Sequence, residues 1–152
     1  MPTNDYSAIQ EALRNFYLRS QQAAERLCAP YGISLARAKL LIYIGRQGTT
    51  RSIDMVQSSG LAPRTVTEAI DALEAEGLVD RTPDPVDRRV KRIMLTPAGT
   101  AALEALGPAR QQLCERLFEA LDADERAQLT TLLERLNTRL AELEREDAAP
   151  GP

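Results

Sequence analysis

The residues best suited to chemistry in this sequence lie close together near its middle. Residues 86–92 read Val-Asp-Arg-Arg-Val-Lys-Arg, with four cations and one carboxylate in seven positions. Guanidinium and ammonium groups at this density are suited to neutralising the phosphates of a polyanion. The overall net charge of −3 does not oppose such binding, because salt confines the field of a charge to ~8 Å. The segment therefore predicts a local basic surface on an acidic protein.

Histidine is absent from the sequence, and its absence excludes several kinds of catalytic and metal-binding site. Without histidine there is no Ser-His-Asp or Cys-His nucleophile pair and no common general base near neutral pH. The two cysteines, Cys28 and Cys114, are too few for a disulfide scaffold or a zinc site. We therefore expect no enzymatic activity, no cofactor and no bound metal.

Neither a membrane-spanning segment nor a cleaved secretory signal is predicted. The longest apolar run, residues 40–44, is far shorter than the ~20 residues that a spanning helix needs. Residues 1–5 contain no basic region leading into an apolar stretch. We therefore expect a cytoplasmic protein that does not contact a membrane. Residues 148–152 are expected to form a disordered tail.

Helices that could position the basic segment are predicted on both sides of it. Apolar residues three and four positions apart predict a first helix over about residues 5–29 and a second from the N-cap Ser34 to Gly45. Leucine stripes predict further helices over about residues 97–146. Within that range, Pro108 after Gly107 is expected to kink or break a helix.

The C-terminal leucines repeat with a spacing typical of helix association. Leu133, Leu136, Leu140 and Leu143 follow a capping box formed by Asp122 and Glu125. A packing seam within one chain is the alternative explanation. Together with the long first helix, the spacing favours a homodimer whose interface joins the two ends of the chain.

The central segment has the pattern of a helix-turn-helix. A short helix over residues 51–60, with Ile53 and Val56 facing inward, is followed by a glycine turn and by a second helix from Pro63 to Glu76. The second helix is predicted to bury Val66, Ala69, Ile70 and Leu73 and to expose Arg64, Glu68 and Asp71, flanked by Thr65 and Thr67. A short polar face at a helix N-terminus suits the DNA major groove.

A β-hairpin is predicted to follow the second helix of this motif. Residues 78–82 alternate like a strand, residues 90–95 form a second run, and the turn-rich residues 83–88 lie between them. The hairpin therefore carries the basic cluster near its tip, as in the wing of a winged helix protein.

These residues resemble the MarR family of winged helix-turn-helix transcriptional regulators. The resemblance rests on Leu-Glu-Ala-Glu-Gly-Leu-Val-Asp-Arg at residues 73–81, Asp-Arg-Arg at 87–89 and Leu-Thr-Pro-Ala-Gly at 95–99. It implies a single, mainly α domain over residues 1–152, with a winged helix-turn-helix at about 34–96 between dimerisation helices. It also implies a two-fold homodimer on double-stranded DNA, with half-sites of a pseudo-palindromic operator about one turn, ~34–36 Å, apart.

The resemblance assigns DNA-binding roles to the hairpin. Arg89 resembles the family's minor-groove arginine, and Asp87 would orient it. A guanidinium also suits the negative potential of a narrow minor groove. Arg88 and Lys91 are further DNA candidates. The alternative is a solvated turn with surface ion pairs.

The recognition helix contributes the remaining DNA candidates. Arg64 is predicted to read guanine, and Thr65 and Thr67 to contact phosphate or a thymine methyl group, although Thr65 equally fits a helix cap. Glu68 departs from the family pattern and would accept from cytosine N4. Arg51, before the helix-turn-helix, would touch backbone phosphate. Because Glu68 and Asp71 face outward, we expect modest and strongly salt-dependent binding.

The resemblance further implies control by a phenolic or aromatic carboxylate compound, or by thiol oxidation. Candidates to line a ligand site are Tyr17, Tyr31, Arg37, Tyr43 and Arg46, which fit a dimer core as well. Cys28 could act as a redox sensor or be a buried, inert thiol, and Cys114 is predicted to lie in the core.

The resemblance, together with these residues, implies a dimeric, sequence-specific transcriptional repressor that a small phenolic or aromatic carboxylate ligand releases from DNA. Two alternatives stay open. One is a regulator that responds to thiol oxidation at Cys28. The other is a dimeric helical interaction protein that no longer binds DNA, as the acidic recognition surface would allow.

Overall fold

The computed structural model describes residues 6–148. Its helices are α1 (Tyr6–Cys28), α2 (Leu35–Gln47), α3 (Ser52–Ser59), α4 (Pro63–Ala75), α5 (Pro97–Phe118) and α6 (Ala123–Ala148), with one 3₁₀ turn at Ala29–Tyr31. Its strands are β1 (Thr49–Arg51), β2 (Val79–Pro83) and β3 (Lys91–Leu95). The chain divides into two compact units within α5, one up to Arg110 and one from Gln111. The predicted mainly helical fold with a small wing is confirmed.

The capping residues predicted for α2 and α6 form the expected hydrogen bonds in the structure. The Ser34 hydroxyl accepts from the backbone N–H of Arg37 at the start of α2, 3.2 Å away. The capping box before α6 is present in both directions, at 2.9 Å, between Asp122 and Glu125. Each side chain satisfies a backbone donor that the helix itself leaves free.

One apolar core joins the helix-turn-helix to the sheet. It is made of side chains from α2, α3, α4, β2 and β3, and all of them are almost completely buried: Leu40, Leu41, Ile44, Met55, Val66, Ala69, Ile70, Leu73, Val79 and Ile93. The four residues predicted for the inner face of α4 are among them. The core therefore fixes α4 and the hairpin on the same support.

The sheet has three antiparallel strands in the order β1-β3-β2. Ile93 at the centre of β3 is paired with Thr50 on one side and Arg81 on the other. The hairpin of β2 and β3 is confirmed. Strand β1 was not predicted, because its three residues are too few to show an alternating pattern.

Two details of the sequence interpretation are wrong, and a third is contradicted in part. Ile53 was predicted to face inward but is 53% exposed, because α3 turns Met55 into the core and Ile53 lies two residues, about 200°, away. Cys114 was predicted to be core but is exposed in the single chain. Of the kink or break expected at Pro108, the break does not occur, because α5 continues on both sides of the proline.

No single helix in residues 6–148 is long and apolar enough to cross a membrane. Only α1 with the following turn, taken together with α2 across an 87° bend, meets the length and composition requirement. The predicted disordered tail at residues 148–152 lies, beyond Ala148, outside the described residues.

The start of α5 is hydrogen-bonded to the segment between α4 and β2. The Thr96 backbone N–H donates to the Leu78 carbonyl at 3.1 Å, and the Thr96 hydroxyl donates to the Gly77 carbonyl at 2.6 Å. The same hydroxyl caps α5 by accepting from the Gly99 N–H at 3.0 Å. A Cβ on Gly99 would lie 1.9 Å from the Leu78 carbonyl oxygen. Glycine is therefore required here by the close approach of two backbones.

Replacing this glycine should destabilise the protein. Gly99→Ala forces the α5 start away from Leu78, so we expect a loss of about 2 kcal/mol or more in the free energy of unfolding. Gly107→Ala in the same helix is the control, since an added Cβ meets nothing within 4 Å beyond its chain neighbours; the steric cost of a Cβ before Pro108 offsets the gain in helix propensity, so the stability should change by about 0.5 kcal/mol or less. Urea unfolding of both variants measures the difference, and equal stabilities would contradict the account.

Candidate nucleic-acid interface

Helix α4 is presented by a tight turn after α3. Gly60 ends α3 with φ of 68°, a left-handed conformation that favours glycine, and Pro63 occupies the first turn of α4. Arg64, Thr67, Glu68 and Asp71 are exposed on the surface opposite the core. The geometry is that of a recognition helix whose N-terminal residues are free to contact bases.

The candidate base reader Arg64 is paired with its neighbour Glu68. The Arg64 Nε lies 2.8 Å from Glu68 Oε1, one helical turn apart, and the Arg64 side chain is 89% exposed. An exposed ion pair of this type is weak, so both side chains can leave it and contact a base pair instead. Arg64 and Glu68 together match the guanine acceptors and the cytosine amino group of one G·C pair.

Thr65 and Thr67 differ in how much of each side chain is exposed for a contact with DNA. The Thr67 hydroxyl donates to the Pro63 carbonyl at 3.1 Å, which leaves its methyl group and its lone pairs for contacts. Thr65 is half-buried, and the N-cap position of α4 is held by Ala62. The capping alternative for Thr65 is therefore wrong.

The loop at the tip of the hairpin, residues 84–90, is organised by Asp84. Its Oδ1 accepts the backbone N–H groups of Val86 at 2.8 Å and Asp87 at 3.1 Å. Its Oδ2 accepts from Arg92 Nε at 2.6 Å. The side-chain bond to Arg92 and the two backbone bonds lower the pKa of Asp84 to about 2. The carboxylate is therefore ionised throughout the physiological range.

Asp87 acts on the backbone of the candidate minor-groove arginine. Its Oδ1 accepts the Arg89 N–H at 3.0 Å, so the bond fixes the chain at Arg89 while the guanidinium is exposed. Arg88 and Lys91 are exposed as well. Among residues 6–148 no ion pair involves Arg88, Arg89 or Lys91. These three cations are available to phosphates.

Sequence reasoning missed the ion pair that links the hairpin to the recognition helix. Arg81 on β2 donates to Asp71 of α4, and its Nε lies 3.2 Å from Glu74 Oε2. Arg81 is about three-quarters buried, which strengthens the attraction relative to a fully solvated pair. A strand residue facing two carboxylates on a helix cannot be found from local spacing.

Arg51 is also engaged within the protein. Its guanidinium forms two bonds of 2.9 Å to the Asp54 carboxylate. This side-chain bond raises the pKa of Arg51 and lowers the pKa of Asp54. Arg51 is half-exposed and lines an open cavity together with Asp84 and Arg92 of the hairpin. A phosphate contact there must use its remaining N–H donors.

An open cavity of about 310 Å³ lies behind the helix-turn-helix, between α2, the end of α3 and α5. Of the five predicted ligand residues it contains Tyr43 and Arg46. The residues that line it are Lys39, Ile42, Tyr43, Arg46, Ser58, Ser59 and Arg110. Lys39 and Arg110 were missed because they come from positions 71 residues apart, with no shared local pattern.

The other three predicted ligand residues are not part of this cavity. Arg37 is bound to Glu76, to the Ser34 hydroxyl and to the Gly32 carbonyl. Tyr17 on α1 is 56% exposed and Tyr31 is 45% exposed. The structure thus brings together two of the five candidates.

Cys28 is 4% exposed and packs with Ala38 and Leu106. Burial raises the pKa of its thiol, against the opposing effect of the Arg110 charge. A raised pKa leaves less of the reactive thiolate, which argues against rapid oxidation. In residues 6–148 no group of three or more Cys, Asp and Glu side chains is placed to hold a metal ion.

A recognition helix and a basic wing on one core define a winged helix-turn-helix protein. A profile of the MarR family matches residues 33–91. The Bacillus subtilis (strain 168) regulator YwhA is 31% identical over 120 residues, covering 79% of this chain and 86% of YwhA. The repressor NicR of Pseudomonas putida (strain KT2440) is 26% identical over 124 residues, covering 82% of this chain and 78% of NicR.

A comparison with solved structures also finds a similar fold. One of these structures shows Bordetella bronchiseptica BpsR, whose DNA binding is regulated by 6-hydroxynicotinic acid, and it matches with a TM-score of 0.77 at 27% identity. The match covers 86% of this chain and 98% of BpsR. The chain belongs to the MarR family and is a transcriptional regulator of the winged-helix type.

The low pKa of Asp84 predicts how the wing responds to acid. Its pKa of about 2 lies below the unfolded value of ~3.9, so its stabilisation is complete above about pH 4 and is lost as the pH falls towards 2. Asp84→Asn should remove this pH-dependent part of the free energy of unfolding and speed hydrogen exchange at the Val86 and Asp87 amides. An unchanged pH profile would contradict the assignment.

Proposed function

We propose that this protein is a homodimeric repressor that binds a pseudo-palindromic operator and is released by an aromatic carboxylate. The observation that carries the DNA contact is the wing, where a fixed loop presents Arg88, Arg89 and Lys91 without competing carboxylate partners among the described residues. The protein would act in the cytoplasm, with the DNA that it binds.

The direct reading of sequence is assigned to α4. Arg64 contacts guanine O6 and N7, and Glu68 accepts from the amino group of the paired cytosine. Thr65 and Thr67 contact the backbone or a thymine methyl group, and Arg51 contacts a phosphate. Asp87 holds the backbone from which Arg89 enters the minor groove.

The dimer is supported by apolar surface that the single chain leaves uncovered. Helix α6 is 26 residues long and has no buried residue in the single chain. Its leucines Leu132, Leu133, Leu136 and Leu140 are therefore exposed to solvent. Helix α1 separately exposes Ile9, Leu13 and Phe16. Isolated helices of this kind gain most of their stability from packing. A second copy supplies a partner for both stripes.

The effector site is assigned to the cavity between α2, α3 and α5. Lys39, Arg46 and Arg110 offer three cations for a carboxylate, and Ile42 and Tyr43 offer apolar surface for a ring. Lys39 is held by a 2.6 Å bond to Gln21. The chemistry matches 6-hydroxynicotinic acid, the regulator of the similar protein BpsR.

The position of the cavity supports a route by which a bound effector would alter the DNA-binding surface. Ser58 and Ser59 are the last two residues of α3, and the Ser59 hydroxyl accepts the Leu61 N–H at 3.2 Å inside the turn. Tyr43 and Ser58 are joined at 3.4 Å between their hydroxyl oxygens. A ligand that contacts these serines can displace the turn that sets the orientation of α4. Release from DNA follows if the ligand-bound turn moves α4 away from its groove.

Operator binding is tested by a salt titration on the DNA that flanks the gene. We expect the logarithm of the affinity to fall linearly with the logarithm of salt concentration, and Arg89→Ala to weaken binding and reduce the slope by about 1 per wing. Arg26→Ala on α1 is the matched control. A full pseudo-palindrome should bind much more tightly than a half-site, and sedimentation should give a dimer mass.

The absence of salt-dependent binding to this DNA and to a random library would overturn the repressor proposal. The dimeric interaction protein would then be favoured. Binding that oxidants release and aromatic acids do not would instead favour control through Cys28.

The effector site is tested by calorimetry with 6-hydroxynicotinic acid and with salicylate. Arg46→Ala should weaken binding about tenfold or more, because it removes a charge-assisted bond to the carboxylate. Arg37→Ala should leave the affinity unchanged, because Arg37 faces Glu76 and not the cavity. An equal loss in both variants would contradict the assignment.

A further inference from the structure

Val86, at the tip of the wing, is the most exposed large hydrophobic side chain of the described residues. Its exposure is 93%, and the next highest is 69%, at Tyr6. Single exposed apolar residues are common on protein surfaces. Val86 differs from an ordinary case because its backbone is held in place.

The hydrogen bonds of the loop fix the position of Val86. Its N–H donates to Asp84, which also holds the Asp87 N–H and the Arg92 guanidinium. The loop is closed by bonds of 2.9 Å from the Asp84 N–H to the Val90 carbonyl and from the Val90 N–H to the Asp87 carbonyl. Pro85 restricts φ just before Val86. The valine is therefore presented to solvent with little freedom to fold back.

The residues beside Val86 indicate what it touches. Arg88 and Arg89 are two and three positions further along, and both are exposed. An apolar tip flanked by cations complements a narrow surface with apolar walls and anionic edges. The minor groove of DNA has this character, since its walls are deoxyribose rings between two rows of phosphates.

We propose that Val86 enters the minor groove beside Arg89 and selects A·T base pairs there. The inference rests on the DNA binding proposed above. A valine side chain is too short to pry base pairs apart as the larger wedge residues do. It packs against the deoxyribose walls, where the 2-amino group that guanine projects from the floor of the groove would collide with its methyl groups. Val86 thus adds specificity at the ends of the operator that α4 does not reach.

The experiment compares Val86→Ser with the wild type on three operators. At the wing positions, located by footprinting, these carry A·T, inosine·C or G·C pairs. Inosine·C lacks the 2-amino group, so its minor groove resembles that of A·T. The wild type should bind A·T and inosine·C alike, and G·C about tenfold more weakly. In Val86→Ser the affinity for A·T should fall about fivefold, and the preference over G·C should fall below threefold.

Two further measurements test whether the effect of Val86→Ser comes from a change in charge interactions or from a loss of stability. Val86→Ser should leave the salt slope unchanged, because an apolar contact releases no counterion, whereas Arg89→Ala reduces it. The thermal midpoint should not change, because the side chain has almost no contacts to lose. Val86→Thr, which keeps the shape, should retain most of the discrimination against G·C.

Binding by Val86→Ser within twofold of the wild type on A·T, or an undiminished G·C penalty, would overturn the inference while leaving operator binding intact. Failure of the wild type to bind any of the three operators would instead overturn the proposed function.

Discussion

The recognition helix and the wing can act on one stretch of DNA only because they share one apolar core. Ile70 and Leu73 of α4 pack in the same cluster as Val79 of β2 and Ile93 of β3. Such cores are close-packed, so a change in one element is transmitted to its neighbours. Arg81 adds a polar connection by pairing with Asp71 and Glu74 of α4. The spacing between the two DNA-reading elements is thus set inside the protein.

The distribution of ion pairs reconciles an acidic chain with a DNA-binding surface. Arg51, Arg64, Arg81 and Arg92 are all matched with carboxylates. The pairs at Arg81 and Arg92 fix the wing, while the exposed pair at Arg64 can be exchanged for a base pair. Three wing cations remain for phosphates. A surface of this kind relies on position more than on total charge.

The cavity and the recognition helix are connected by a short segment of chain. Ser58 and Ser59 line the cavity, and Gly60 and Leu61 form the turn that starts α4. Leu61 in this turn is half-buried and packs against the apolar core. A ligand bound in the cavity, as proposed above, would contact Ser58 and Ser59 next to the turn.

The sequence alone determined the helices, the hairpin and the family, because these follow from local periodicity, caps and turn residues. The inner face of α4 and the capping box at Asp122 were correct for this reason. Tertiary structure decided which distant groups meet: Arg81 with Asp71, Asp84 with Arg92, and Lys39 with Arg110 at one cavity. It also placed Ile53 outside and Met55 inside. Local spacing fixes the face of a helix, whereas side chains far apart in sequence meet only through packing.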